Sequence, residues 1–336
     1  MLLRLKLVWL LCFIVLLGLD GSVQSGFMAR TPSRPAAPAP APREHADLLV
    51  FAPHPDDESL GCAGVILQAV EQRKVVKVVV FTNGDGFPAA AAALTGKPIE
   101  KLTPADYREL GRRRQMEVAH ATAILGMRPD DLILLGYPDE GLDFLYHQRD
   151  VTPYRSEFTE ATATYAIVKR DYHSASHGVP APYSHVAVLA DVAELIKSVA
   201  PSEVYVTNQF DGHPDHRAAY WFVHDAVAVA SYHGAFYTYL IHGPEDAETE
   251  WPWPHAITPL LPFAVHQFKG MQIPQNLPWP PPRRVPLTPK QAQEKLDAIR
   301  AHLSRENAAS KKLMPDERAS LEAFVKCEEI FWPGGE

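Results

Sequence analysis

Two short stretches of this 336-residue chain carry residue types that do chemistry together. The first is Ala52-Pro53-His54-Pro55-Asp56-Asp57-Glu58, and the second is Asp211-Gly212-His213-Pro214-Asp215-His216. Each sets imidazoles and carboxylates around a His-Pro-Asp turn. In the first, His54 and Asp57 stand three residues apart, and Asp56 between them must point elsewhere. Adjacent carboxylates repel, so keeping them side by side implies a nearby cation or separate tasks. In the second, Pro214 suits the first turn of a helix, placing His213 near the cap and His216 three residues on. Together His54, Asp57 and His216 offer two imidazoles and a carboxylate, a normal donor set for catalytic zinc with open positions. Another divalent transition metal, such as iron or cobalt, fits the same donors. Asp56 is then left to take a proton from water, and His213 to stabilise or protonate the far side of the reacting centre. The plainer reading of either stretch alone is a helix cap, with Asp56 or Asp57 accepting the first free amides.

These groups need elements that bring them to one place. Asp47 to Phe51 reads as a buried strand ahead of the first stretch, and Ser59 to Gln72 as a helix after it. Pro201 to Thr207 and Ala218 to Val229 repeat strand, turn and helix around the second. Further strands are expected at 74–82, 131–135 and 235–241, with helices from Pro104 towards Leu125 and from Ser184 through Ile196. The 104–125 helix opens with Thr103-Pro104-Ala105-Asp106, a well-formed start. Strands separated by helices of ten residues or more indicate a Rossmann-like, mostly parallel α/β sheet with helices on both faces. In such a sheet, ligands bind at the carboxyl ends of strands, where both stretches fall. A dinucleotide site is disfavoured, because acids stand where a Gly-rich phosphate cradle would be.

The remaining chain is less regular. Asn83-Gly84-Asp85-Gly86 is a tight turn, where Asp85 satisfies the turn or joins the site. Residues 141–182 have weak periodicity and many polar groups, His173 and His177 among them, which suggests a functional wall or lid. From Gly243 to Pro286 eleven prolines accompany Trp251, Trp253 and Trp279, which reads as an arm wrapping the surface. Helices are expected at 288–303 and from Pro315 to Cys327. This divides the chain into a catalytic domain at 47–245 and a Pro/Trp-rich arm with a helical carboxyl-terminal extension at 246–336.

At the amino terminus a basic start precedes an apolar run, Leu7 to Leu19, and a small-residue stretch. Residues 1–25 therefore read as an export signal or, if uncleaved, as an anchor whose run 7–19 tethers the chain to a membrane. Residues 26–46 form a Pro/Ala-rich linker. The expected location is outside the cytoplasm: periplasmic, extracellular or membrane-anchored. A formal charge of −8 without a basic tract argues against a nucleic-acid partner. Cys62 and Cys327 could pair, or serve as ordinary core thiols.

The segment 52–64 and Asp211 to His216 resemble the PIG-L/LmbE-like family of zinc-dependent de-N-acetylases. The resemblance extends to Arg114 and Glu117, to Gly136-Tyr137-Pro138-Asp139 and to Tyr239-Leu240-Ile241-His242, so it covers most of 47–245. It implies that His54, Asp57 and His216 hold Zn2+, that Asp56 is the general base, and that His213 is the electrostatic or acid partner. It also implies that Arg114 and Asp139 lie at a sugar-binding mouth and that Asp215 supports a metal ligand. A plainer reading of Arg114 is a surface salt bridge with Glu117 or a neighbour. The implied reaction removes the acetyl group from an N-acetylglucosamine unit of a small glycoconjugate. Asn208 departs from the pattern, since relatives often have Thr-His where this chain has Thr207-Asn208. Residue types alone leave open another amide, an ester or a phosphoester, or a carbohydrate binder that kept its metal.

Overall fold

Seven strands form a single sheet in the order β3-β2-β1-β4-β5-β7-β6 in a computed structural model that describes residues 45–150, 153–243, 280–302 and 321–335, with 252, 257, 277 and 278. The parallel part comprises β1 (Leu48–Ala52), β2 (Val76–Thr82), β3 (Leu132–Tyr137), β4 (Glu203–Thr207) and β5 (Ala235–Tyr239). Strands β1 and β2 are buried along their whole length, as expected of a sheet covered on both faces. Alternate residues divide between two cores. Leu48, Val50, Ala52, Val76, Val78 and Val80 pack on one face with α1 (Asp57–Glu71) and α3 (Pro104–Ile124). Leu49, Phe51, Val79 and Phe81 pack on the other with α6 (His185–Val199) and α7 (Pro214–Val229). The expected Rossmann-like sheet is thus the fold. The Thr103/Asp106 capping box at the start of α3 and the Ser184 cap of α6 are in place.

The Ala-rich tract forms a short helix, α2 (Pro88–Thr95). Within 141–182 two one-turn-and-a-half helices appear, α4 (Leu142–His147) and α5 (Tyr172–His177). The carboxyl-terminal stretch differs from expectation. Besides α8 (Pro289–Arg300) it contributes β6 (Arg283–Pro286) and β7 (Glu328–Pro333), which pair antiparallel with each other, and β7 pairs antiparallel with β5. β6 is too short and too basic to show an alternating pattern, and β7 opens on two acids and ends on a proline, which masks its apolar centre. The last helix ends by residue 322, before Cys327, and its expected start at Pro315 lies outside the described residues. So do the apolar run, most of the linker, and the arm with Trp251, Trp253 and Trp279. Cys62 and Cys327 are both free. No helix among the described residues is long and apolar enough to cross a membrane.

The extension is built into the catalytic part rather than appended to it. The ion pair Lys295–Glu329, 2.6 Å, is buried against α1. Lys295 Nζ donates to Leu60 O at 2.7 Å, while Glu329 accepts the amides of Gly64 and Val65 at 2.8 and 3.0 Å. The Leu287 side chain also lies against Gly64 so closely that a Cβ there would sit 2.3 Å from it. Removing one partner of a buried pair strands the other charge, so Lys295→Met should destabilise the chain by about 3–5 kcal/mol. Denaturant unfolding of both proteins measures this, and an unchanged midpoint would show that the extension is not part of the cooperative core.

Candidate metal centre and active site

Strand order makes the site. From β1 the chain steps one way to β2 and β3, and later the other way to β4 and β5. The crevice at the carboxyl ends of β1 and β4 is the place where such sheets bind ligands. His54 follows β1, Asp139 follows β3, and His213 and His216 follow β4 at the start of α7.

Three donor atoms converge there. His54 Nδ1 and His216 Nε2 are 3.0 Å apart. Asp57 Oδ2 lies 3.4 Å from the first and 3.2 Å from the second. Donors held at about 2.0–2.2 Å from a tetrahedral ion stand about 3.3–3.6 Å from one another. The triangle is therefore close to the size a bound ion requires, and slightly contracted. His54, His213 and His216 also bring donor atoms within 4.8 Å of one another. Asp57 does not act as a simple cap, because its Oδ2 accepts the His54 amide at 2.8 Å.

Carboxylates back both imidazoles. His54 Nε2 is 3.0 Å from Asp139 Oδ1 and 3.5 Å from Asp215 Oδ2, and His216 Nδ1 is 3.3 Å from Asp211 Oδ1. Such partners orient a ligating ring and raise its basicity. Burial opposes charge on His54, but Asp139 outweighs it and holds the imidazole well above its ordinary pKa. Burial likewise opposes charge on His216, yet Asp57 and Asp211 push it up to about 9. Asp57 is held well below the usual carboxylate range against burial, chiefly by His216. Asp211 also accepts the amides of His213, Ile241 and His242, which ties the β4 and β5 loops together. Asp215 accepts the amides of Glu140 and Leu142 at 2.7 and 2.9 Å, fixing the loop after β3.

Asp56 is buried beside this triangle without being part of it. Its backbone sits at φ 147° and ψ −27°, a region non-glycine residues rarely adopt. Two contacts hold it there. Its amide donates to Glu58 Oε2 at 3.1 Å, and Arg114 Nη2 reaches both Asp56 Oδ2 at 3.2 Å and Pro55 O at 3.0 Å. Arg114 can lie so close only because Gly84, at φ 64°, has no side chain; a Cβ there would fall 2.2 Å from Nη1. On the other side, His213 Nδ1 accepts the Asp215 amide at 3.2 Å. Its Nε2 is then the protonated nitrogen, 3.1 Å from Glu140 Oε1.

The structure brings His54, Asp56, Asp57, His213 and His216 together. Arg114 is not at an open mouth, and its surface pair with Glu117 is not formed; Arg113 makes that contact. An arginine in the middle of a buried helical stripe is drawn inward by Asp56 and two carbonyls. Asp139 is likewise buried behind His54 instead of facing solvent. Sequence reasoning gave no role to Asp211, Glu140 or Glu58. Asp211 and Glu58 had a signal, since each lies within one of the two stretches, whereas Glu140 had none. Asp85 is buried and pushed up to about 7, by burial first and the Asp139 charge second, and the Tyr165 hydroxyl donates to it.

The chain is similar to several known proteins. Residues 49–227 match the family described as PIG-L, GlcNAc-PI de-N-acetylase. Over 97 residues the chain is 34% identical to a probable N-acetyl-alpha-D-glucosaminyl L-malate deacetylase 2 of Bacillus anthracis. That match spans 29% of this chain and 38% of the relative's length. Among solved structures, a conserved protein of Thermus thermophilus is similar with 21% identity and a TM-score of 0.48, over 86% of this chain and 94% of that one. The N,N'-diacetylchitobiose deacetylase of Pyrococcus horikoshii is similar with 18% identity and a TM-score of 0.49, over 86% and 85%. With more than half of its length matched by the family and the His/Asp constellation at the sheet crevice, the chain belongs to the PIG-L/LmbE-like deacetylase family.

Proposed function

We propose that this chain is a metal-dependent hydrolase that removes the N-acetyl group from an N-acetylglucosamine-containing glycoconjugate. The observation that carries the reading is Asp56: a buried carboxylate held in a strained turn beside three convergent donors, yet outside them. A purely structural metal site is closed by four protein ligands and needs no such base. His54, Asp57 and His216 are the residues that would hold the ion. A zinc-like dication in that set supplies Lewis-acid activation of water and of the amide carbonyl. Asp56 accepts the proton as water attacks the carbonyl carbon, with Arg114 fixing its carboxylate. The Nε2–H of His213 faces the developing oxyanion or the leaving nitrogen once substrate displaces Glu140. Asp56 then passes the proton it accepted to the amide nitrogen as the C–N bond breaks, giving acetate and a free amine. Asp139, Asp211 and Asp215 keep both imidazoles and the β3 loop in place. The sugar comes from the family and from the relative named above, a probable glucosaminyl deacetylase.

The test incubates zinc-loaded protein with a panel of N-acetylglucosamine conjugates beside simple esters and phosphoesters. Release of acetate with an equal amount of amine is the expected result. Cleavage of an ester or phosphoester alone would overturn the acetylated sugar, and binding without cleavage would overturn the enzyme. The apolar run 7–19 and the Pro/Ala-rich linker support a second proposal, that the chain works outside the cytoplasm, either released or tethered. Sequencing the mature amino terminus from fractionated cells decides it, and a cytoplasmic protein still carrying Met1 would sink it.

A further inference from the structure

We infer that His173, His177, Asp191 and Glu194 form a second site for a transition-metal dication, separate from the centre at the carboxyl ends of β1 and β4. Each of two neighbouring helices supplies a pair of donors. His173 and His177 stand four residues apart on α5, and Asp191 and Glu194 three apart on α6, so each pair lies on one face. The pairs meet: His173 Nδ1 is 2.7 Å from Asp191 Oδ1, and His177 Nε2 is 3.1 Å from Glu194 Oε2. Donor atoms of His173, His177 and Asp191 all lie within 4.8 Å of one another.

The imidazoles of His173 and His177 are 4.4 Å apart between centroids, so both rings offer a nitrogen to the same pair of carboxylates. A dication would bind both rings in the neutral form. Asp191 is already organised for it. The carboxylate is buried, and Oδ2 accepts the Tyr137 hydroxyl at 2.6 Å, so Oδ1 is turned towards the histidines. His177 and Glu194 are open to solvent, with side chains 40% and 45% exposed, which leaves a path of entry. The α5 turn is held independently, since Asp171 accepts the Ser174 amide and the Thr164 hydroxyl. Imidazole with carboxylate selects zinc, nickel, copper or cobalt over magnesium or calcium.

The experiment counts zinc per full-length chain after loading and dialysis, and reads stoichiometry instead of activity. Wild type should hold about two equivalents and His177→Gln about one, an exposed substitution that leaves the fold alone. The Asp57→Ala/His216→Ala variant, emptied at the first centre, should keep about one, and adding His177→Gln should remove it. Circular dichroism reports the fold of each protein. A single equivalent in wild type that Asp57→Ala/His216→Ala loses, or a second equivalent that survives both His177→Gln and His173→Ala, would overturn the site. Because the readout is metal content, loss of this site and failure of the deacetylase assay are distinguishable.

Discussion

Asp56→Asn is expected to keep the fold and the metal of the first centre while slowing amide cleavage by roughly 10²–10⁴-fold. The substitution preserves the shape of the side chain, and an amide oxygen can still accept from Arg114 Nη2. What it removes is the ability to take a proton near neutral pH. Because Asp56 is not one of the three converging donors, metal content should not follow activity. Single-turnover kinetics with metal-loaded protein separates the chemical step from binding, and KM should change far less than kcat. Full activity in Asp56→Asn would sink the base assignment even if the product is the expected amine. Arg114→Met offers a sharper contrast. It removes the group that aims Asp56 and leaves Pro55 O and Gly84 O without a donor, so it should lower both kcat and stability. Asp56→Asn should lower kcat alone.

The convergence of His54, Asp57 and His216, with Asp56 beside them, was legible because each strand-turn-helix unit repeats in the sequence with its own polar residues. A His-x-x-Asp turn after one buried strand and a His-x-x-His turn after another can meet only if those strands are neighbours. Their meeting across β1 and β4 is a property of parallel sheets that alternation and helix length already imply. The groups that the sequence misplaced act across the fold. Arg114 looks like one more charge on an exposed helix until Asp56, Pro55 and Gly84 are brought to it from other loops. Asp139 gains its role from the outer nitrogen of His54, far away in the chain, and Asp211 from that of His216 at the start of α7. Glu140 meets His213 only because Asp215 clamps the loop between them. The β6–β7 pair went unread for another reason. Its strands are four and six residues long, and burial of Glu329 against α1, which fixes β7 in place, has no local signature.

Loss of the first centre's metal should be the most severe consequence of any single substitution. Ala at His216 or at Asp57 removes one of three donors, and in each case bound metal should fall well below one equivalent when counted in the His177→Gln background. Asp211→Asn keeps all three donors and should weaken affinity only ~10–100-fold. The effect of pH follows from the same groups. In the metal-free chain, burial works against the His216 charge but Asp57 and Asp211 raise it to about 9. A raised imidazole stabilises the fold fully below its ordinary value near 6.5, and this contribution is lost as pH rises through about 9. His54, raised by Asp139 against burial, acts in the same direction. Asp57 is opposite: its contribution is present above 3.8 and disappears as pH falls through its lowered value. Metal binding requires neutral imidazoles and must therefore expel these protons. Apparent affinity should fall by up to ~10-fold per displaced proton for each pH unit below about 9. Calorimetric titration of metal-free protein with zinc, in buffers of different ionisation enthalpy, measures the protons released. Thermal unfolding of the same protein from pH 6 to 9 should show stability declining without metal and holding with it. A proton count near zero at neutral pH would mean that these imidazoles are not charged before loading. Retention of a full equivalent by His216→Ala would mean that the ion is not held where the three donors meet.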